Sequence, residues 1–230
     1  MILWIASYPR SGNRFTREVL QHCFGLESCS IYYEFAADFK AVDRFRDCSE
    51  LKVIKTHEKT WDPSPAIYVY RDGRDSLVSY AHFLKTWEPT VFDGPWEELL
   101  ESLILGRVGF GDWSEHIGAW QVHSLTTPVA WISYEELLKD SVSAVQNALT
   151  SLSIPVPRIH EIPPAFPELK AKDPGLFRKG KAGSWREEMP TRLVELFEER
   201  HALTMRGLGY SLESDASRSL IAKHASGHAA

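Results

Sequence analysis

The sequence lacks long hydrophobic runs, an excess of positive charge and paired cysteines, and each absence excludes a class of protein. No apolar run approaches the roughly 20 residues that a membrane-spanning helix needs, so no membrane span is predicted. The apolar stretch at 2–6 is too short for a signal peptide and no basic residue precedes it, so we expect a chain that is not secreted. The formal net charge is −5. Nucleic-acid-binding domains are usually basic, so no nucleic acid partner is expected.

Cysteine is scarce as well. The three cysteines, Cys23, Cys29 and Cys48, are odd in number, and none is spaced as Cys-x-x-Cys. This pattern favours reduced thiols in a cytoplasmic protein over a disulfide framework or a zinc site. We therefore expect no bound metal.

What is present is the composition of an ordinary globular protein. The chain has 230 residues, of which 43% are hydrophobic and 25% are charged, enough for one domain with a sizeable core. We expect a single domain over residues 1–210. Residues 211–230 are mostly polar or small and are expected to form a mobile C-terminal tail.

Short apolar runs alternate with helical patterns along the chain. Buried strands are predicted at 2–8, 51–56, 66–70 and 129–133. Amphipathic helical stretches follow most of them, and this alternation predicts an α/β fold with a mostly parallel central sheet flanked by helices. The stretch 154–175 contains six prolines and is expected to be irregular.

The first strand leads into a turn that is suited to an anion. Residues 8–14 read YPRSGNR, and a helix is predicted to begin near Phe15. A glycine-bearing turn between a strand and a helix directs backbone N–H groups at one point, where the helix dipole adds positive potential. The turn lacks the Gly-x-x-x-x-Gly-Lys-Ser/Thr pattern of nucleoside triphosphate loops. A plain connection with solvated arginines is the alternative.

The second long strand ends in a lysine and a histidine. Alternation along a strand places Lys55 and His57 on the same side, at the carboxyl edge where open α/β sheets bind ligands. A histidine there can act as a general base, and an ammonium group beside it can stabilise developing negative charge. An ordinary hydrogen-bonded surface histidine is the competing interpretation.

The third strand leaves through an arginine-rich turn. Residues 71–75 read RDGRD and lead into a predicted helix over 76–85, for which Asp75 is the expected N-cap. Arg71 precedes this helix and Ser79 lies within it. The two could converge on one phosphate group, although their spacing alone is weak evidence.

Six segments in order along the chain resemble the 3′-phosphoadenylyl-sulfate (PAPS)-dependent sulfotransferases. The segments are YPRSGNRF at 8–15, IKTH at 54–57, YRDGRDSLVSYAHF at 70–83, DWSEHIGAW at 112–120, ISYEELLKD at 132–140 and FRKGKAGSW at 177–185. The resemblance covers nearly the whole chain, roughly residues 3–210. It implies the sulfotransferase fold, with a P-loop-like nucleotide-binding architecture and PAPS as co-substrate.

The resemblance also implies which residues bind the donor. Residues 10–15 would hold the 5′-phosphosulfate, and an arginine-rich group would hold the 3′-phosphate. Aromatic rings would flank the adenine, although Phe166 could equally be a packing residue. The implied donor-binding residues are Arg10, Ser11, Gly12, Asn13, Arg14, Phe15, Arg71, Ser79, Tyr134, Phe166, Arg178, Lys179 and Gly180.

For catalysis, the resemblance implies that His57 takes the proton of the acceptor while Lys55 and Arg10 neutralise charge around the sulfuryl group, without a metal ion. Arg10 stands where the family has a lysine, and Arg14 where it has a small hydroxyl residue. The product would be adenosine 3′,5′-bisphosphate (PAP).

The acceptor is expected to be a small molecule or a glycan that offers a hydroxyl or an amine. The segments 31–45 and 87–96 are candidates for its pocket, but nothing in them identifies it, and the sequence does not give the oligomeric state. Two other functions stay open at this point: a nucleotide-dependent kinase and a non-catalytic protein that binds adenosine bisphosphate.

Overall fold

The computed structural model describes residues 1–30, 42–43, 45–46, 48–59, 62–175 and 177–215. In this part of the chain a sheet of five parallel strands forms the centre, in the order β2-β3-β1-β4-β5. The strands are β1 (Ile2–Ala6), β2 (Ser28–Ser30), β3 (Lys52–Thr56), β4 (Ala66–Tyr70) and β5 (Val129–Ser133). The predicted α/β fold with a mostly parallel sheet is confirmed.

Helices cover both faces of the sheet. They are α1 (Asn13–Phe24), α2 (Gly73–Trp87), α3 (Trp96–Ile104), α4 (Trp113–His123), α5 (Tyr134–Ser151), α6 (Phe166–Lys172) and α7 (Thr191–Gly207), with a short 3-10 helix at Ser184–Glu187. Because both faces are covered, all five residues of β1 are buried, which explains why its sequence is continuously apolar and not alternating.

The alternation of side chains along β1 divides the core into two layers. Leu3 and Ile5 contribute to a layer with α1 and α5, in which Val19 and Val145 are fully buried. Trp4 points to the other face, where it joins the aromatic side chains of the helices on that side. The strand order also reverses around β1, which places a topological switch point at its carboxyl end.

Two predicted boundaries are wrong. The first strand ends at Ala6 and not at Tyr8, because the chain turns with positive φ angles at Arg10 (67°) and Gly12 (108°). The helix predicted over 76–85 begins at Gly73, and its N-cap is Asp72, whose carboxylate accepts a hydrogen bond from the Arg74 N–H at 2.9 Å. Both aspartates precede the same apolar run, so local spacing does not distinguish them.

Asp75, the residue predicted to be that N-cap, connects α2 to a distant loop. Its carboxylate accepts hydrogen bonds from the Gly183 N–H (2.6 Å), the Ser184 hydroxyl (3.0 Å) and the Trp185 N–H (2.9 Å). The contact joins residues more than 100 positions apart, and it holds the segment 177–185 against the start of α2.

Two C-terminal regions differ in part from their predictions. The stretch 154–175 is irregular except for α6, which begins at Phe166 with a proline in its first turn, where the missing N–H costs little, and ends at Lys172. Of the expected tail, residues 211–215 are described. Leu212 is buried, and the Ser211 carbonyl accepts a hydrogen bond from Arg74 at 2.8 Å. Residues 216–230 lie outside the described residues.

Candidate active site

A cleft of about 980 Å³ opens at the carboxyl edge of the sheet. It collects every predicted site residue except Ser11, from six segments that are far apart in sequence. The predicted residues that line it are Arg10, Gly12, Asn13, Arg14, Phe15, Lys55, His57, Arg71, Ser79, Tyr134, Phe166, Arg178, Lys179 and Gly180.

The cleft is cationic although the chain is acidic. Among the described residues, seven arginines and lysines line it, against the two carboxylates of Glu58 and Glu88. A concave site lined by charges of one sign focuses the electrostatic field. The cleft therefore favours anionic ligands in a chain of net charge −5.

The turn after β1 presents the N-terminal end of α1 to this cleft. Gly12 is the N-cap residue of α1 and has no side chain with which to cap the helix. The first helical residues, Asn13 and Arg14, line the cleft, so the positive end of the α1 dipole lies at the cleft wall. Only glycine suits this N-cap position. Its φ is 108°, and a Cβ atom would lie 2.8 Å from Cδ2 of Tyr134.

Ser11 is placed differently from its neighbours. Its side chain is buried, and its hydroxyl lies 3.2 Å from the Ser76 hydroxyl. The Ser11 side chain thus connects the turn to α2 and does not line the cleft. Any contribution of this residue to anion binding comes from its backbone.

The tautomer of His57 follows from its neighbours. Nδ1 of His57 lies 2.8 Å from the carbonyl oxygen of Ser7, and because a carbonyl can only accept, Nδ1 carries a proton, which leaves Nε2 unprotonated whenever the ring is neutral. Burial, and secondly the charge of Lys55, hold the pKa of His57 well below its usual value. The imidazole is therefore neutral at pH 7, as a general base must be.

The backbone of His57 is held by His116, a residue that the sequence analysis did not single out. Nε2 of His116 donates to the His57 carbonyl at 2.7 Å, and Nδ1 of His116 accepts from the Tyr68 hydroxyl at 2.8 Å. Burial lowers the pKa of His116 to about 4, so this chain of hydrogen bonds keeps one protonation state near neutral pH. The segment DWSEHIGAW contained the signal, but spacing alone assigned His116 no role.

Lys55 lies next to His57 on the cleft wall and is nearly buried. Burial, together with the positive charge of Arg17, lowers the pKa of Lys55 to about 8. Arg17 is a second residue that the sequence analysis missed. It lines the cleft, and its guanidinium donates to Asn13 Oδ1 (3.2 Å) and to the Ser28 hydroxyl (3.3 Å).

Arg71 is fixed by contacts on several sides. Its guanidinium donates to the carbonyls of Lys181 (2.9 Å) and Arg10 (3.3 Å) and lies over the Tyr134 ring at 4.3 Å. Its Nε–H is buried and has no hydrogen-bond partner among the described residues. Arg71 lines the cleft, and an orphaned guanidinium N–H of such a residue is a group that a bound anion would satisfy.

Arg10 and Ser79 lie together beside Arg71. Nε of Arg10 donates to the Ser79 hydroxyl at 3.2 Å. Burial, and then the charges of Arg71 and Arg178, lower the pKa of Arg10 to about 10. Three guanidinium groups are thus close enough to repel one another, and a phosphate group placed among them would relieve that repulsion.

The segment 177–185 closes one side of the cleft. Gly180 has a φ of 64°, and a Cβ atom there would lie 2.4 Å from the Phe166 ring. The Phe166 ring also packs edge-on against Phe177 at 5.8 Å between centroids. Phe166 therefore both lines the cleft and supports the segment, and its stacking on adenine stays a prediction.

Arg178 faces the cleft from this segment. Its Nη1 donates to both carboxylate oxygens of Glu188, at 2.8 and 3.0 Å, whereas its buried Nε has no partner in the described part of the chain. Lys179 donates to Glu187 at 2.8 Å and to Glu188 at 2.7 Å. Both cations are thus balanced by carboxylates of the same chain.

The side of the cleft next to His57 carries aromatic and apolar residues. Tyr80, Phe83, Val91 and Phe110 form an apolar wall, and the Phe110 ring contacts His57 edge-on at 5.5 Å between centroids. Residues 31–41, which belong to the candidate pocket segment 31–45, lie outside the described residues. Of the other candidate segment, 87–96, Glu88 and Val91 reach the cleft.

Across the residues that the structure describes, no helix is long and apolar enough to cross a membrane. The same residues contain no cluster of three or more histidine, cysteine or acidic side chains that could hold a metal ion.

The family model of the sulfotransferase domain matches residues 2–209. The chain belongs to the sulfotransferase family, and the predicted class of enzyme, a PAPS-dependent sulfotransferase, is confirmed. Among curated relatives, Sulfotransferase 1A1 of Bos taurus is 28% identical, with 89% of this chain and 83% of the relative covered. Sulfotransferase 1 family member D1 of Rattus norvegicus is 24% identical, with coverages of 87% and 82%.

Solved structures show the same fold. Mouse sulfotransferase SULT7A1 complexed with PAP superposes with a TM-score of 0.70 at 23% identity, covering 97% of this chain and 88% of that chain. Retinol dehydratase in complex with retinol and PAP gives a TM-score of 0.64 at 16% identity, covering 89% and 81%.

Proposed function

We propose that this enzyme transfers the sulfuryl group of PAPS to a hydroxyl or an amine of a small-molecule or glycan acceptor and releases PAP. One observation carries the proposal: a neutral His57 with an unprotonated Nε2 stands in the same cleft as a cluster of arginines with orphaned N–H groups. The first is a general base, and the second is a site for phosphate.

The donor is held in two places. The amides of the turn at 10–15 and the N-terminal end of α1 bind the 5′-phosphosulfate, because both direct positive potential into the cleft. Arg71, Ser79 and Arg178 bind the 3′-phosphate, with Lys179 and the Gly180 backbone beside them. The buried Nε–H groups of Arg71 and Arg178, which find no partner among the residues that the structure describes, support this role. Phe15, Tyr134 and Phe166 line the cleft as candidates for contact with adenine.

PAPS supplies an activated sulfuryl group, and the residues of this chain direct its transfer. Nε2 of His57 takes the proton of the acceptor as the bond from the acceptor to sulfur forms and the bond from sulfur to the phosphate oxygen of the donor breaks. Arg10 and Lys55 neutralise the charge that develops on the oxygens. With a pKa of about 8, Lys55 can also protonate the leaving oxygen, whereas Arg10, with a pKa of about 10, stays charged.

A small molecule with an apolar or aromatic body suits the acceptor side better than a highly polar one. The wall formed by Tyr80, Phe83, Val91 and Phe110 lies next to His57, and pockets of this kind orient an apolar body by a few polar groups. We further propose a cytoplasmic location, which the free thiols of Cys23, Cys29 and Cys48 support.

The first experiment compares thermal unfolding with PAP and with ADP plus magnesium. Because the clamp needs a 3′-phosphate, PAP should raise the melting temperature and ADP with magnesium should not. Stabilisation by ADP and magnesium alone would contradict the proposal and favour a kinase. If PAP stabilises the protein, transfer of ³⁵S from labelled PAPS to a panel of phenols, alcohols and amines comes next. Binding without transfer to any member would favour a non-catalytic nucleotide-binding protein.

A further inference from the structure

Glu188 forms ion pairs with Arg178 and Lys179, two of the cations assigned to the donor site. Its carboxylate receives both contacts from Arg178 Nη1, at 2.8 and 3.0 Å, and one from Lys179 Nζ at 2.7 Å. Nε2 of His82 contacts its second oxygen. The side chain is only 18% exposed, so water screens these contacts less than it screens those of a surface ion pair.

Glu187 repeats the arrangement one residue earlier. Its carboxylate contacts Lys179 at 2.8 Å and Lys181 at 2.6 Å. Hydrogen bonds from Lys179 and Lys181 lower the pKa of Glu187 to about 2. Partial burial of Glu188 opposes ionisation, but its hydrogen bonds from Lys179, His82 and Arg178 prevail and lower its pKa to about 2. Both carboxylates are therefore charged at any pH at which the enzyme would work.

Glu188 engages only part of the Arg178 guanidinium. Nη1 is engaged by both oxygens of Glu188, while the buried Nε–H has no partner among the described residues. A planar guanidinium binds phosphate best through two neighbouring N–H groups. A phosphate that takes Arg178 in this way must share the group with Glu188 or displace it, and the two anions repel each other.

We propose that Glu188 is a built-in competitor for Arg178 and Lys179, which lowers the affinity of the enzyme for adenosine nucleotides that carry a 3′-phosphate and thereby limits the retention of PAP. The proposal rests on the proposed function, because it takes Arg178 and Lys179 to be part of the 3′-phosphate clamp. The proposal thus predicts that the Glu188 carboxylate lowers the affinity for PAP, beyond pairing with Arg178 and Lys179. A purely positioning role for Glu188 predicts the opposite effect of its removal.

Isothermal titration calorimetry on the full chain tests the proposal with PAP and adenosine 5′-monophosphate as probes. Glu188→Gln keeps the shape of the side chain and removes its charge. We expect this variant to bind PAP about two- to fivefold more tightly, the upper part of the range for a partly exposed charge contact, with the affinity for adenosine 5′-monophosphate nearly unchanged. Glu101→Gln is the matched control, because Glu101 pairs with Arg192 outside the cleft, and it should leave both affinities unchanged.

The outcomes separate the two proposals. Unchanged or weaker binding of PAP by Glu188→Gln would overturn the role of Glu188, even if the wild-type chain binds PAP well. Failure of the wild-type chain to prefer PAP over the monophosphate would instead overturn the proposed function.

Two further variants extend the test. The first keeps the proposal testable if Glu188→Gln misfolds, and the second asks whether the effect of Glu188 depends on Arg178. Glu187→Gln removes a partner of Lys179 but leaves Arg178 paired, so we expect a smaller gain in PAP affinity, and a loss would contradict the proposal. In an Arg178→Gln background the gain from Glu188→Gln should shrink, because the competitor then lacks one of its targets. A full gain in that background would exclude Arg178 as the residue for which Glu188 competes.

Discussion

Replacing Arg71 by alanine is the sharpest test of the donor site, because two ligands that differ by one phosphate report on it separately. Arg71 donates to the carbonyls of Arg10 and Lys181 and lies over the Tyr134 ring. Its removal loosens the turn and the 177–185 segment, which weakens the binding of any adenosine nucleotide. The loss of the contact to the 3′-phosphate should weaken PAP alone.

The expected magnitude follows from the state of the guanidinium in the unliganded protein. The Nε–H of Arg71 is buried without a partner in the described part of the chain, so a phosphate there gains a charge-assisted hydrogen bond and satisfies an orphaned donor. Such a bond contributes about 1.5–3 kcal/mol. Arg71→Ala should therefore lose about 10- to 150-fold more affinity for PAP than for adenosine 5′-monophosphate.

The assay is calorimetric titration of both nucleotides into the wild-type and variant chains at one salt concentration. Arg71→Lys is the matched control, because it keeps the charge but lacks the planar fork and the Nε–H. The ratio of its affinity for PAP to its affinity for adenosine 5′-monophosphate should lie between the ratios of the wild type and of Arg71→Ala. Equal losses for PAP and the monophosphate in Arg71→Ala would refute the role of Arg71 as a ligand of the 3′-phosphate.

Three further predictions concern catalysis and the shape of the cleft. His57→Ala should lower the transfer rate by about 10²–10⁴-fold and leave PAP affinity nearly unchanged in calorimetry, and a variant with near-normal turnover would remove His57 as the base. Activity in a ³⁵S transfer assay should stay level from about pH 7 down to pH 6, because the lowered pKa of His57 keeps the base unprotonated. A fall in activity between pH 7 and pH 6 would contradict this role of His57. Above about pH 8 the activity should fall, because Lys55 then loses its proton. Gly180→Ala would place a Cβ atom 2.4 Å from the Phe166 ring at a φ of 64°, so it should cost about 1–2 kcal/mol of conformational free energy and weaken PAP binding. Gly207→Ala should bind PAP normally, because a Cβ atom there would meet nothing within 4 Å among the described residues beyond its own helix.

The parts of this site that could be predicted from sequence are those in which reactive or anion-binding residues directly follow a predicted strand. The glycine-bearing turn after β1 and the lysine and histidine at the end of β3 lie beyond the carboxyl ends of adjacent parallel strands. Parallel pairing brings such ends to one edge whatever the rest of the chain does. Strand periodicity was therefore enough to predict that Lys55 and His57 lie together at this edge, whereas it was the family resemblance that implied a site shared with Arg10.

The features that were missed depend on contacts between distant segments. The tautomer of His57 is set by the Ser7 carbonyl, 50 residues away, and its backbone is held by His116. Asp75 looked like an N-cap because its role as an acceptor for residues 183–185 is invisible in local sequence. Ser11 sits in the right turn, but its side chain is directed at Ser76 by the packing of α2 against that turn.

The balance of charge in the cleft explains why its arginines can be assembled before any ligand arrives. Burial, and then the charges of Arg71 and Arg178, lower the pKa of Arg10, and the second of these causes is mutual repulsion in the folded state. A cluster of this kind costs folding free energy unless anions lie nearby, and Glu188 supplies one to Arg178. The carboxylate that balances the charge of Arg178 is thus the same group that opposes the phosphate when the donor binds, so the stability of the fold and the affinity for PAP are set against each other at Glu188.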